Sequence, residues 1–335
     1  MKLTSPHLPR VSALRRGPGL TAAAALGALA LAVVPAVSGA GQAQAASFES
    51  SPVGYGAGTT GGGSAPATTV SSLSAFKSAV TGSTAKVVKI SGLISLSGQV
   101  DVGSNTTVLG VGSNSGLTGG GIRLKNAQNV ILRNLVISKA VGTDAITVQK
   151  STQVWIDHND LSSDQTHGKD YYDGLLDITH AADNVSVSWN KFHDHYKVSL
   201  VGHSDDNASE DTGHLRVTYS HNWFTNVNSR LPSLRFGKSH IFNNYFQNAG
   251  DSGVHSRMGA EVFVQANVFT NVPDAITTTG DSDVDGYANQ ADNIFDNSTT
   301  DITRTSSYKP TYSWSPESAS TVAATVSAGA GTGKV

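Results

Sequence analysis

The sequence predicts an all-β fold, a right-handed single-stranded parallel β-helix (solenoid) with one N-terminal capping helix. Three observations lead there. Short β-rich phrases recur between residues 130 and 269, each with an Asn at the same place and a large apolar residue two positions later. No heptad or 3.6-residue pattern is sustained beyond residue 80. The 335 residues hold no Cys, which excludes a disulfide scaffold, a Cys-ligated zinc and a thiol nucleophile.

Along the chain, the first element is a leader. Lys2, Arg10, Arg15 and Arg16 precede an Ala/Leu/Val-rich run from Leu20 to Val37, and Ala43-Gln44-Ala45 offers small residues for cleavage, so residues 1–45 read as a secretory signal peptide and 46–335 as one domain. Pro35 and Gly39 interrupt the run, which argues against a membrane anchor. The whole chain carries 23 Lys+Arg against 25 Asp+Glu; without the leader 19 face the same 25, a charge near −6 that gives no support to nucleic-acid binding. A secreted, extracellular monomer with no membrane partner is expected.

Residues 54–66 are rich in Gly, Ser and Thr and read as an irregular tether to the first coil. Residues 70–80 place apolar side chains at 73, 76, 79 and 80 behind a Ser cap, the pattern of an amphipathic helix suited to covering an open solenoid end. The β-phrases follow at 130–136, 154–161, 185–192, 217–224, 240–246 and 262–269. Their Asn residues at 134, 159, 190, 222, 244 and 267 are separated by 25, 31, 32, 22 and 23 residues. A minimum near 22 with two longer intervals fits stacked coils from which loops depart, with Asn side chains forming a ladder at one corner. A leucine-rich horseshoe shares this coil length, but no Leu-x-x-Leu-x-Leu pattern recurs. Residues 318–328 read as a final helix.

Two polar stretches stand out: Asp144, Asp157, His158, Asp164, Asp170, Asp173 and Asp177, then Lys197, His203, Arg230 and Arg235. Asp173 and Asp177, four apart, would share one face of a strand. Converging carboxylates without Cys suit a hard cation such as Ca²⁺, while Asp residues capping turns are the alternative. In Arg230-Leu-Pro-Ser-Leu-Arg235, Pro232 restricts the residue before it, and a turn there could aim both guanidinium forks at one carboxylate; Arg residues solvating a loop remain the other reading. His193, His195 and His203 have no third partner at a zinc spacing. No Gly-x-Ser-x-Gly elbow is present.

These motifs together resemble the pectate lyases. The residues that carry the resemblance are Val154-Trp155-Ile156-Asp157-His158, Asp173-Gly-Leu-Leu-Asp177-Ile178, Val185-Ser-Val-Ser-Trp189-Asn190, Asp194-His195-Tyr196-Lys197 and Arg230-Leu231-Pro232 with Arg235. Pro52-Val53-Gly54-Tyr55-Gly56 and Ala328-Gly329-Ala330-Gly331 are similar to the family's two ends, so the likeness spans the chain after the leader. The resemblance implies a Ca²⁺ site at Asp144, Asp173 and Asp177, a base at Arg230, and Lys197 and Arg235 as partners of substrate carboxylates. Some members have an acid two residues before the first Asp; here Gly142 stands there.

The implied substrate is polygalacturonate (pectate) and the implied reaction β-elimination, which removes the C5 proton and breaks the C4–O4 bond to leave a 4,5-unsaturated sugar. Positive charge from Ca²⁺ and Lys197 would stabilise the carboxylate next to C5. An Arg base acts from its neutral form, so activity should rise into alkaline pH. Among rivals, a polygalacturonase needs Asn-Thr-Asp and Gly-His-Gly, which are missing; Asp205-Asp206 is present, and Arg123-Leu-Lys125 lies upstream of the expected order. A pectin lyase acting without Ca²⁺ would not need the three Asp, and a non-catalytic pectin-binding β-helix would not need Arg230 and Lys197.

Overall fold

The computed structural model describes residues 50–335; the leader at 1–45 lies outside them. Each repeat phrase alternates apolar residues inward, so that in-register rows pile up down the stack: Val154, Val185 and Val217 in one row, Ile156, Val187, Tyr219, Ile241 and Val264 in the next. All of these side chains are fully buried or nearly so. The strands pair in parallel into a 10-stranded sheet and a 16-stranded sheet. The second sheet supplies two faces of the solenoid, because the strand Gly116–Lys125 pairs with Val136–Ser138 through its first half and with Ile146–Gln149 through its second.

A short corner separates the 10-stranded face from the next. Its first residue takes the left-handed region in every coil from 134 to 292 (Asn134, His158, Trp189, His221, Asn243, Ala266, Asp292; φ +52° to +58°). Its second residue is the ladder. Asn190 Oδ1 accepts from the backbone N–H and the Nδ2 of Asn159, both at 2.9 Å, and the same pair of bonds links Asn190 to Asn222, Asn222 to Asn244, Asn244 to Asn267 and Asn267 to Asn293. Asn134 is the exception. Leu135 N–H donates to Asn159 Oδ1, so Leu135 holds the ladder position and Asn134 the left-handed one, while its side chain binds Gly110 O and Gly112 O. The ladder is thus shifted by one residue at its first coil and extends past 267 to Asn293.

Two residues beyond each ladder Asn, a large apolar side chain turns inward. Phe192, Phe224, Phe246, Phe269 and Phe295 stack with ring centroids 4.8, 4.9, 4.5 and 5.3 Å apart. Truncating one of the buried rings would cost about 3–5 kcal/mol.

Helix α1 (Leu73–Val80) buries Phe76 and Val80 against the solenoid's first coils, with Ser72 Oγ accepting from Ala75 N–H at 3.3 Å. It begins later than residue 70 because Ala67–Val70 is already a strand paired with Lys86–Ile90. The short α2 (Ala208–Asp211) sits in a loop, and α3 (Ala319–Gly329) packs near the strands at Tyr245–Ala249 and Val268–Thr270. Residues 54–66 do more than tether. Tyr55 N–H bonds to Thr218, Gly56 N–H to Ser186, Gly61 N–H to Asn129 and Gly62 N–H to Thr107, so the segment runs back along the 10-stranded face across several coils. Among the described residues no helix is long and apolar enough to cross a membrane.

The two long intervals become two loops, 163–175 and 202–215. They leave from opposite ends of the face built by Ile146–Gln149, Leu176–Thr179, Ser199–Val201, Ser233–Arg235 and Ser252–Arg257, and that face becomes the floor of a groove.

Candidate active site

The groove floor is read from strand register. Outward positions line up as Arg123, Thr147, Asp177, Leu200, Ser233 and His255, one per coil. Asp177 therefore lies on the floor, whereas Asp144 and Asp173 lie in the loops entering it. The strand argument that paired Asp173 with Asp177 fails, because Asp173 precedes the strand Leu176–Thr179. Another relation takes its place: Ile146 pairs with Leu176, which sets Asp144 beside Gly174. Gly174 N–H donates to Asp144 Oδ1 at 2.9 Å, and Thr147 Oγ1 donates to Oδ2 at 2.6 Å. Asp177 Oδ1 accepts from Leu200 N–H at 3.2 Å.

Asp144 and Asp177 converge on Gly174. A Cβ at that glycine would stand 3.0 Å from Asp144 Oδ1 and still closer to Asp177 Oδ1, so only the missing side chain leaves room for both carboxylates. Burial raises the pKa of Asp144. It raises that of Asp177 well above the usual carboxylate range, with the Asp144 charge adding to the effect. The charges of Lys197, on Asp144, and Arg230, on Asp177, oppose this rise without cancelling it.

Positive groups gather over the next two coils. Lys197 ends the strand Lys191–Lys197 and its Nζ lies 2.9 Å from Asp170 Oδ1 and 3.3 Å from Asp173 Oδ1. Arg230 occupies the left-handed region (φ +62°), an unfavourable place for an Arg, and is pinned there by Ser199 N–H donating to its carbonyl at 2.8 Å. Arg235 donates from Nε to Asp205 and from Nη1 to Gly202 O at 2.8 Å. Lys197, Arg230 and Arg235 line one cavity of about 390 Å³, so the turn at Leu231-Pro232 does bring both guanidinium groups to one space.

Chemically, the cluster of cations can hold a polyanion, and the paired carboxylates beside it can hold a metal cation that neutralises the polyanion at one point. The family model described as pectate lyase matches residues 20–335. The chain belongs to the pectate lyase family. It is 52% identical over 227 residues to a probable pectate lyase A of Aspergillus fumigatus, covering 67% of this chain and 69% of that protein. With pectate lyase B of Colletotrichum gloeosporioides it shares 47% over 291 residues, 86% and 87% of the two chains. Among solved structures it is similar to a Bacillus sp. N165 pectate lyase in complex with trigalacturonate, at 35% identity and a TM-score of 0.78, covering 84% of this chain and 99% of that one. Pectate lyase II of Xanthomonas campestris gives 30% identity and a TM-score of 0.75. The protein is a polysaccharide lyase, and the hydrolase and non-catalytic readings are set aside.

For a pectate lyase, one basic residue escaped the motif reading. Arg257 pairs in register with Arg235, 22 residues earlier, and lines the same cavity. Burial and the Arg235 charge lower its pKa to about 10, and among the described residues its Nε has no hydrogen-bond partner although Nη1 reaches Asp281 O at 3.0 Å. The signal was present as the coil period itself, since 22 is also the spacing from Asn222 to Asn244. His193 and His195 are occupied structurally: His193 bonds Asp160 and Asp194, and His195 bonds Ser163 and Asp173 O.

The residues suit Ca²⁺. Its donors would all be oxygen, and Asp177 is buried beside the half-buried Asp144, the two carboxylates converging on one glycine. Asp173 faces Lys197, so the pre-arranged part of the site is that pair. Among the described residues no three His, Asp or Glu side chains already surround one point.

Proposed function

We propose that this pectate lyase cleaves the α-1,4 linkages of polygalacturonate by Ca²⁺-dependent β-elimination in the groove, as a secreted monomer exported by the leader at 1–45. The observation that carries this reading is the convergence of Asp144 and Asp177 on Gly174, beside a cavity that Lys197, one coil on, shares with Arg230, Arg235 and Arg257 of the next two coils. The similar enzyme solved with trigalacturonate supports the substrate class.

Lys197 and Arg235 receive substrate carboxylates, exchanging Asp170 and Asp205 for them. Arg230, in its neutral form, takes the C5 proton. The electron pair of that C–H bond becomes the C4=C5 double bond, the C4–O4 bond breaks, and O4 leaves with a proton from water. Asp144, Asp173 and Asp177 would hold Ca²⁺, which when bound supplies positive charge to the carboxylate next to C5 as negative charge builds there. The fixed left-handed backbone at Arg230 presents its side chain from one direction, which favours a single attack geometry.

The test is ultraviolet absorbance of the unsaturated product on polygalacturonate, with and without chelator. Absorbance lost on chelation and restored by Ca²⁺ is expected. Absorbance that ignores chelator and is greater on methyl-esterified pectin would replace this reading by a pectin lyase.

A further inference from the structure

Arg123-Leu-Lys125 is the one basic motif that the site leaves unused. Two residues apart on the strand Gly116–Lys125, both side chains leave the same side of the sheet. Register puts them on the groove floor: Arg123 pairs with Thr147 and Thr147 with Asp177, while Lys125 pairs with Gln149. Arg123 is therefore two strands from Asp177, about 10 Å at the usual strand spacing. The floor between them is continuous and polar, since Gln99 Nε2 donates to Thr147 Oγ1 at 2.6 Å and Thr147 in turn binds Asp144.

A second observation concerns partners. Lys197 is gripped by Asp170 and Arg235 by Asp205, each carboxylate standing where the proposed reaction seats one from the substrate. Arg123 shows the same arrangement. Its Nε lies 2.6 Å and its Nη2 3.0 Å from the two oxygens of Asp101, a bidentate fork on a carboxylate that is 63% exposed. Asp101 and Lys125 also border a cavity of about 250 Å³. Lys197, Arg235 and Arg123, each holding a carboxylate from the chain itself, describe a track for a polyanion laid parallel to the solenoid axis.

We propose that Arg123 and Lys125 form a distal subsite that binds carboxylates of long galacturonan chains, with Asp101 occupying it until substrate arrives. This rests on the groove reading above and extends it toward the N-terminal coils. The strand of Arg235 lies two strands from Asp177 on the other side, so a trimer seated between Asp177 and Arg235 stays short of Arg123.

The experiment compares wild type, an Arg123→Ala/Lys125→Ala variant and Asp101→Asn on polygalacturonate and on trigalacturonate, following the unsaturated product. The double variant should raise KM on the polymer about two- to fivefold, the scale of an exposed ion pair, with kcat and the trimer unaffected. Asp101→Asn should lower KM on the polymer alone. Equal changes on both substrates, or no change on the polymer in either variant, would overturn the subsite. An Arg123→Gln/Asp101→Asn variant, which leaves neither charge unpaired, must reproduce the polymer-only rise in KM, and thermal unfolding confirms that each variant is folded. Failure of wild type to release unsaturated product from either substrate would sink the groove reading itself, a result distinguishable from a lost polymer effect.

Discussion

Gly174→Ala isolates the carboxylate pair without touching either carboxylate. Gly174 is not among the residues with positive φ, so the backbone accepts Ala. Such a substitution would ordinarily stabilise a fold by about 0.4–1 kcal/mol through the unfolded chain. Its Cβ, however, would press on Asp144 Oδ1 at 3.0 Å and more severely on Asp177 Oδ1. Asp177 is 9% exposed and tied to Leu200 N–H, so it cannot swing away freely. Relieving the overlap moves its oxygen by about 1 Å, a misplacement that costs on the order of 10²-fold in rate. The assay is initial rate on polygalacturonate across a Ca²⁺ titration, beside thermal unfolding. The expected result is a rate down by about two orders of magnitude, a higher Ca²⁺ concentration for half-activity and a melting temperature lowered by several degrees, the overlap costing about 1–3 kcal/mol. Wild-type rate and Ca²⁺ dependence in this variant would refute the view that Asp144 and Asp177 form the ion's pre-arranged seat.

Other consequences are as direct. Asn222 is fully buried and makes four side-chain bonds, to Asn190 N–H and Nδ2, Val187 O and Asn244 Oδ1; Asn222→Ala should cost about 2–4 kcal/mol, read by urea unfolding, because it orphans several buried groups at once. Arg257→Ala should raise KM for polygalacturonate about tenfold while kcat changes little, the sign of lost ground-state binding, and steady-state kinetics check it. His240, buried against Phe242 and Phe263, has its pKa lowered to about 3 by burial. Above pH 6.5 it is neutral folded or unfolded and contributes no pH dependence. Below that, the unfolded chain takes a proton the folded one refuses, so stability falls by about 1.4 kcal/mol per pH unit down to pH 3. His240→Phe should flatten that limb of melting temperature against pH.

Much of this architecture could be read before any coordinates because a solenoid writes its period into the chain. The Asn spacing located the coils, and the two long intervals located the groove loops. Ser72 and the apolar set at 73, 76, 79 and 80 located the cap. What escaped has physical causes. Asn134 and Leu135 exchange roles because both corner positions accept Asn, one for its tolerance of left-handed backbone and the other for its amide. Asp173 defeated the alternation argument because an insertion takes it off the strand, where parity no longer applies. Arg257 belongs to no local motif and becomes visible only when the register carries Arg235 forward one coil. Asp170 and Asp205, which grip the groove's cations, come from loops whose paths no periodicity specifies.

The returning chain ends have a consequence for how the molecule comes apart. In a stack where each coil touches only its neighbours, unfolding can fray from either end. Here Tyr55 reaches Thr218 across 163 residues, and the C-terminal segment runs the same way, from Tyr312 at His240 through Glu317 at Asn243 to Gly333 at Asn134, 199 residues away. Peeling one terminal coil therefore does not release the chain end that spans the others. The two straps turn a nearest-neighbour array into a unit expected to melt cooperatively, and they do so without a single covalent cross-link.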